Sequence, residues 1–283
     1  MSDVMQGITE DVKFNHEHAD ALINACNDAA DTIEGQTSSR SSWLNDALTD
    51  FKGYYADIFK RNGEIQVSDA SLVVTRLREV VKAVQDLKAA AKAEQERRET
   101  ARAWKQRQDE RGFWDHVADW FTGGEAPPVG PPNPEPTFSV TAVSPPERQA
   151  ITGSGYTGTS SARPANLRSF ATNSSGGNNE LRPKATTAST AYSNFEGSCH
   201  WGSLSASGVF TGFDKYITAN DNDVKWANTV ADAFEAAGGD GVVTVANATV
   251  TAALETAGVN AERKDLEIDP PQMFGAPPTT GYA

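Results

Sequence analysis

Cysteine is scarce in this chain: Cys26 and Cys199 are the two in 283 residues, and they lie far apart. Two thiols do not make a disulfide framework. Cys26 falls on an apolar stripe, so a buried thiol is expected. Basic residues are outnumbered, 25 Lys and Arg against 38 Asp and Glu, giving a formal charge of −13. Binding to nucleic acid or to an anionic membrane needs the opposite excess, so both are argued against. Apolar residues make up 38% and mean hydropathy is −0.50, low for one compact domain of this length.

Long apolar runs are missing as well. No run approaches the roughly 20 residues that span a bilayer. Residues Met1–Glu10 have neither a basic start nor an apolar stretch, so a Sec signal peptide is excluded. The protein is expected in the cytoplasm, or outside the cell or at its envelope by a route without a cleaved signal.

Catalytic sets are absent too: G-x-S-x-G, a P-loop, H-E-x-x-H and cysteine pairs at zinc spacing do not occur. His16-x-His18 has two imidazoles, but residues two apart on a helix point to different sides. Cys199–His200 are sequence neighbours, which rarely have the geometry of a nucleophile and its base. Gly238–Gly241 is a glycine-rich loop without phosphate-loop context. No catalytic, metal or cofactor residue is assigned, and the expectation is a protein that is not an enzyme.

What is present is helical periodicity. Leu22, Cys26, Ala29 and Ile33, then Leu44, Leu48, Phe51, Tyr55 and Ile58, recur at steps of three and four. Val73, Leu77, Val80, Val84, Leu87 and Ala91 repeat the pattern. The spacing predicts a helix from about Val12 to Arg61, a turn over 61–67 marked by Asn62–Gly63, and a second helix from Asp69 to Arg111 capped by Ser68. Residues 34–42, with Gly35 and several serines, are a zone where the first helix bends or breaks. Residues 1–60 contain 11 acids and 4 bases, and 68–111 contain 11 bases and 8 acids, so the two helices have complementary charge. The charged stretch 88–111 reads either as a basic patch for an acidic partner or as a solvated helix face. Phe113–Phe121, with Trp114, Trp120 and Phe121, is a short amphipathic aromatic segment. It lies on a membrane surface, folds back on the hairpin or docks a partner helix.

The composition then changes. Nine of the fourteen prolines fall in residues 122–165, which read as a linker with polyproline II character and a short strand near Phe138–Val143. Leu167, Phe170, Leu181, Ala188, Tyr192 and Phe195 mark a second helical unit, interrupted at Gly176–Gly177 and Pro183 so that it reads as one helix or two. Gly197–Gly202 is a turn containing Trp201. Residues 204–237 form an amphipathic helix stopped by Gly238–Gly239, and 249–257 a further short one. The architecture expected is mainly α. A long antiparallel hairpin with its aromatic segment occupies 11–121, a linker 122–165, a smaller hairpin unit 166–262 and an extended Pro-rich tail 263–283.

Phe51-x-Gly53 near the tip of the first hairpin and His200-Trp201-Gly202 at the turn of the second resemble the helical hairpins of the WXG type, substrates of type VII secretion. Leu167-Arg168-Ser169-Phe170, Gly212-Phe213-Asp214, Trp226-Ala227 and 234–239 (FEAAGG), with the tail segments 266–271 and 277–283, are similar to the leader region of large actinobacterial RHS/YD-repeat polymorphic toxins. The resemblance covers essentially the whole chain and implies a hairpin leader that precedes a repeat shell. The shell and toxin are not in this sequence, so a detached leader, a gene remnant or a truncated product is expected. In type VII substrates a Tyr-x-x-x-acid signal follows the second helix of a hairpin. Here Tyr192-x-x-x-Glu196 precedes the second turn, and Phe121-x-x-x-Glu125 is a looser analogue.

The function this implies is a non-enzymatic, secretion-associated leader that works by helix–helix protein recognition. The alternative is a cytoplasmic adaptor or immunity-type coiled-coil protein. The partner is a small helical hairpin protein, the secretion machinery or a second copy of the chain. The residues assigned to partner contact are Trp114, Trp120, Phe121, Tyr192, Phe195, Trp201 and Gly202, with a core role as the other reading of Tyr192.

Overall fold

A computed structural model describes residues 7–110, 128–145, 157–239 and 241–259. The chain is mainly helical, in the order α1 His16–Leu48, α2 Tyr54–Asp109, β1 Thr137–Ser139, β2 Thr159–Ala162, α3 Pro164–Ser198, β3 Ser203–Ser205, α4 Ser207–Gly238, β4 Val243–Ala246 and α5 Asn247–Thr256. The expected two hairpins are α1–α2 and α3–α4. Among the described residues no helix is long and apolar enough to cross a membrane. The aromatic segment 113–121 and the tail 263–283 lie outside the described residues.

Local chemistry explains three of the helix ends. Asn15 caps α1: its Oδ1 accepts the His18 N–H at 3.1 Å, and Glu17 sits in the first turn, where the helix dipole favours an acid. Pro164 opens α3 at the position where a missing N–H costs nothing. Gly239, at φ +86°, ends α4 with its N–H on the Glu235 carbonyl at 3.2 Å.

Two expectations are corrected and one open reading is decided. The α1–α2 turn is at 49–53, not 61–67. Gly63 lies inside α2, and a Cβ there would stand 2.3 Å from Leu44 Cδ2. The glycine serves close helix packing and not a turn; the positive φ that a turn requires is at Gly53, +92°. Residues 34–42 do not break α1. Ser41 returns its hydroxyl proton to the Thr37 carbonyl at 3.0 Å, and Gln36 and Arg40 are buried. Of the two readings of 166–194, the single helix holds: α3 runs through Gly176, Gly177 and an exposed Pro183.

The chain forms two compact units, each assembled from three separate stretches of sequence. Unit 1 is Met1–Gln36, Ala70–Val143 and Asn178–Ile217, and unit 2 is Thr37–Asp69, Ser144–Gly177 and Thr218–Ala283. Each of α1, α2, α3 and α4 therefore gives one stretch to each unit, so both hairpins contribute to both cores.

In unit 1, Leu22, Ile33, Val73, Leu77, Val84, Leu181, Ala188, Phe210 and Phe213 belong to one buried cluster that draws on all four helices. In unit 2, Phe51, Tyr55, Phe59, Leu167, Phe170, Ala227, Phe234, Val250 and Leu254 belong to another. Each fully buried Leu or Phe stabilises by about 1.5–3 kcal/mol. β1 pairs with β3 in parallel in unit 1, and β2 with β4 antiparallel in unit 2.

Candidate functional site

The second hairpin's turn is built inside unit 1. His200 and Trp201 both donate their backbone N–H groups to the Lys13 carbonyl, at 2.8 and 3.1 Å. Trp201 is buried, and Gly202 takes φ +80°. A Cβ on Gly202 would meet Leu87 Cδ2 at 2.6 Å and the Pro136 carbonyl oxygen at 2.9 Å. Phe195 is buried edge-on to Phe14 at 5.9 Å, and Tyr192 stacks on Phe210 at 4.8 Å. The Tyr192 hydroxyl bonds Glu196 Oε1 at 2.6 Å and accepts the Ala206 N–H at 3.0 Å. Burial, with the Glu196 carboxylate beside it, pushes this phenol up to about 12.

Tyr192, Phe195, Trp201 and Gly202 thus come together at the end of α3 and in its turn, with the three aromatic side chains in the interior. For Tyr192 the core reading describes its place. Trp114, Trp120 and Phe121 lie outside the described residues.

The first hairpin's turn is enclosed within unit 2. Phe51 is buried among Phe59, Trp226 and Phe234, with ring separations of 5.8, 6.4 and 6.1 Å. Lys52 and Ser161 form an antiparallel bridge. A Cβ on Gly53 would lie 2.7 Å from the Thr159 carbonyl oxygen. Behind the turn, the Tyr55 hydroxyl is hydrogen-bonded to Thr251, and Ser160 Oγ donates to Asn247 Oδ1 at 2.8 Å. Both turns that contain an aromatic residue and a glycine are thus covered by extended segments of the chain, β1 at one and β2 at the other.

The nucleophile and ligand candidates find other roles. His18 Nδ1 lies 2.7 Å from Ser198 Oγ, whose own proton goes to the Asn194 carbonyl at 2.7 Å. That oxygen is an acceptor for the imidazole and is not set up to lose a proton to it. The buried Cys199 Sγ bonds the Asn15 carbonyl at 3.5 Å, and burial raises its thiol. Burial pushes Cys26 up to about 12. Among the described residues no group of three or more His, Cys, Asp and Glu could hold a metal ion.

Two arginine latches were not singled out from sequence. In unit 1, Arg78 of α2 reaches three positions of α1: Asn27 Oδ1 at 2.6 Å, Asp31 Oδ1 at 2.5 Å and Glu34 Oε2 at 3.2 Å. In unit 2, Arg168 of α3 reaches Asn228 at 3.3 Å, Asp232, and Glu235 at 2.7 Å on α4. The carboxylates raise both guanidinium pKa values, chiefly through the hydrogen bonds that Arg78 donates to Asp31 and Arg168 to Glu235. The signal was legible: Asn-x-x-x-Asp-x-x-Glu at 27–34 recurs at 228–235, and Leu-Arg at 77–78 recurs at 167–168.

Large apolar side chains are almost all used internally. Among the described residues Val242 is the exposed one, at 52%. Comparison with protein-family models, curated proteins and solved structures finds no match.

Proposed function

We propose that this chain is a non-enzymatic, secretion-associated leader of a polymorphic-toxin system of the RHS type. It leaves the cell by a route without a cleaved signal and works by protein–protein recognition. The observation that supports this reading most is that the two hairpins supply one another's apolar partner surface. Each unit has one buried cluster with contributions from both hairpins. A chain that contains both members of a hairpin pair needs no separate small hairpin protein to cover its apolar stripes. Recognition by the secretion machinery then falls to its polar surface.

The test is export. The chain is expressed in a host with its type VII system intact and in one with the system deleted, and the culture medium is assayed. Appearance in the medium with the system alone supports the leader. Retention in both strains ends the export reading and leaves the cytoplasmic adaptor, for which a pull-down that captures a toxin domain is the matching outcome.

A further inference from the structure

The proline-rich stretch was expected to be a linker with a short strand near Phe138–Val143, and the part around that strand is bound. In unit 1, residues 133–143 run extended across α2, β3 and α4. Thr137, Phe138 and Ser139 pair with Ser203, Leu204 and Ser205. Ser203 donates its N–H to the Pro136 carbonyl at 2.9 Å, Val140 to the Ser205 carbonyl at 2.9 Å, and Val143 to the Gly208 carbonyl at 3.3 Å. Val140 and Val143 are buried, and Phe138 packs against the core.

The surface beneath is shaped for a backbone. Gly208 and Gly212 lie one turn apart on α4. A Cβ on the first would meet Ala142 Cβ at 2.5 Å, and a Cβ on the second Val143 Cβ and its carbonyl oxygen at 2.3 Å. Side chains at these positions would close the channel.

At the other end stands Glu94, a fully buried carboxylate. Arg97 holds it from Nε and Nη2 at 2.8 Å each, and Arg98 Nε at 2.9 Å. Its remaining acceptor capacity is filled by the strap: Asn133 donates its backbone N–H at 3.0 Å and its amide Nδ2 at 3.2 Å to Oε2.

We propose that unit 1 has a peptide-binding groove, formed by Glu94, the β3 edge and the Gly208–Gly212 channel. Its ligand class is an extended, proline-containing peptide with an amide side chain for Glu94 and small apolar residues for the channel. In the resting chain its own Asn133–Val143 segment fills the groove as an intramolecular ligand, and a partner protein's peptide of that chemistry takes its place. The groove has the features of strand addition: main-chain hydrogen bonds for affinity and side-chain pockets for specificity. Prolines 131, 132, 134 and 136 hold the ligand extended beforehand, which lowers the entropy lost on docking. A three-residue, two-stranded pairing is weak by itself, so the hold on the strap rests mainly on Val140, Val143 and the Asn133 bonds to Glu94, and its release is a local opening that leaves the helices folded. The idea is independent of the proposed export.

The test uses the full chain and a fluorescent synthetic peptide of residues 131–143. Asn133→Gly, Val140→Ser and Val143→Ser together weaken the resident strap and leave the groove intact. The peptide should bind this variant at least about tenfold more tightly than the wild type, whose tethered strap competes at high effective concentration. Adding Gly212→Val should abolish the gain. A variant that keeps its helical circular dichroism and binds no peptide, or whose binding ignores Gly212→Val, overturns the proposal. Hydrogen exchange on the wild type decides the matter if the variant unfolds. Amides of Val140, Val143 and Ser203 that exchange at least about tenfold faster than those of the α4 core support a releasable strap. Exchange at the global unfolding rate overturns it.

Discussion

Gly212 of α4 lies so close to Val143 that a Cβ on it would stand 2.3 Å from both the Val143 Cβ and its carbonyl oxygen. Alanine is the better helix former by about 1 kcal/mol, which by itself would make Gly212→Ala stabilising. The obstacle here is backbone, which cannot swing aside, and overpacking costs about 1–3 kcal/mol. The expected net result is a lower urea midpoint with an unchanged slope. A raised midpoint would show that the strap does not press on α4.

Gly53 and Gly63 should answer alanine differently. Gly53 combines φ +92° with a Thr159 carbonyl oxygen 2.7 Å from the added Cβ. Left-handed backbone alone costs a non-glycine residue roughly 1–2 kcal/mol. Gly63 is helical, and what a Cβ meets first are the methyl ends of Leu44, a half-buried side chain. Gly53→Ala should lower the thermal midpoint by several degrees, and Gly63→Ala by less. Equal losses would contradict this ranking.

Arg78 and Arg168 each bind three positions of a neighbouring helix, yet their side chains are 38% and 36% exposed. Solvent and salt screen such pairs. Arg78→Ala is expected to cost no more than about 1 kcal/mol, with a loss that shrinks as salt is raised. A double-mutant cycle with Asp31→Ala measures the coupling. Coupling that salt leaves unchanged would mean the latch acts through packing.

Glu94 sets a pH dependence. Burial alone would raise its pKa, but the hydrogen bonds from Arg97, Arg98 and the Asn133 backbone outweigh it and hold the carboxyl at about 2, from an ordinary 4.5. A depressed carboxyl stabilises fully above its unfolded value and loses that contribution as pH falls through the folded one. The clamp should be constant above about pH 5 and decline between about pH 4.5 and 2, on the order of 3 kcal/mol in all. Glu94→Gln should flatten this part of the stability–pH curve. A wild-type curve as flat as the variant's would refute the clamp.

Both thiols should be slow. Cys26 is fully buried and pushed up to about 12, and Cys199 is buried and raised. Thiolate is the reactive species. A thiol reagent at pH 7.5 should label neither residue at the rate of free cysteine, and denaturant should release both. Fast labelling of Cys26 in the native protein would place it outside the core.

The helices were legible because an apolar side chain every three or four residues leaves little else to form. Leu22, Val73, Leu77 and Phe213 are buried as their spacing implied. The turn was misread because Asn62–Gly63 has the composition of a turn, and glycine is equally the residue that lets Leu44 approach a helix backbone. Tyr192, Phe195 and Trp201 show the same ambiguity at the candidate site. An aromatic residue near a turn has the same composition whether it faces a partner or the core, and only packing separates the two. Glu94 and Asn133 are 39 residues apart, so no local pattern links them.

The amino-acid sequence by itself determined that this protein is built from two amphipathic helical hairpins, because period and capping act over a few residues and need no distant partner. Only the tertiary structure decided that each compact unit takes a stretch from every long helix, and that residues 133–143 are a docked strap and not a free spacer. Those outcomes depend on which surfaces meet: Gly208 and Gly212 become a channel when a backbone lies across them, and Glu94 becomes a clamp when Asn133 arrives to fill it.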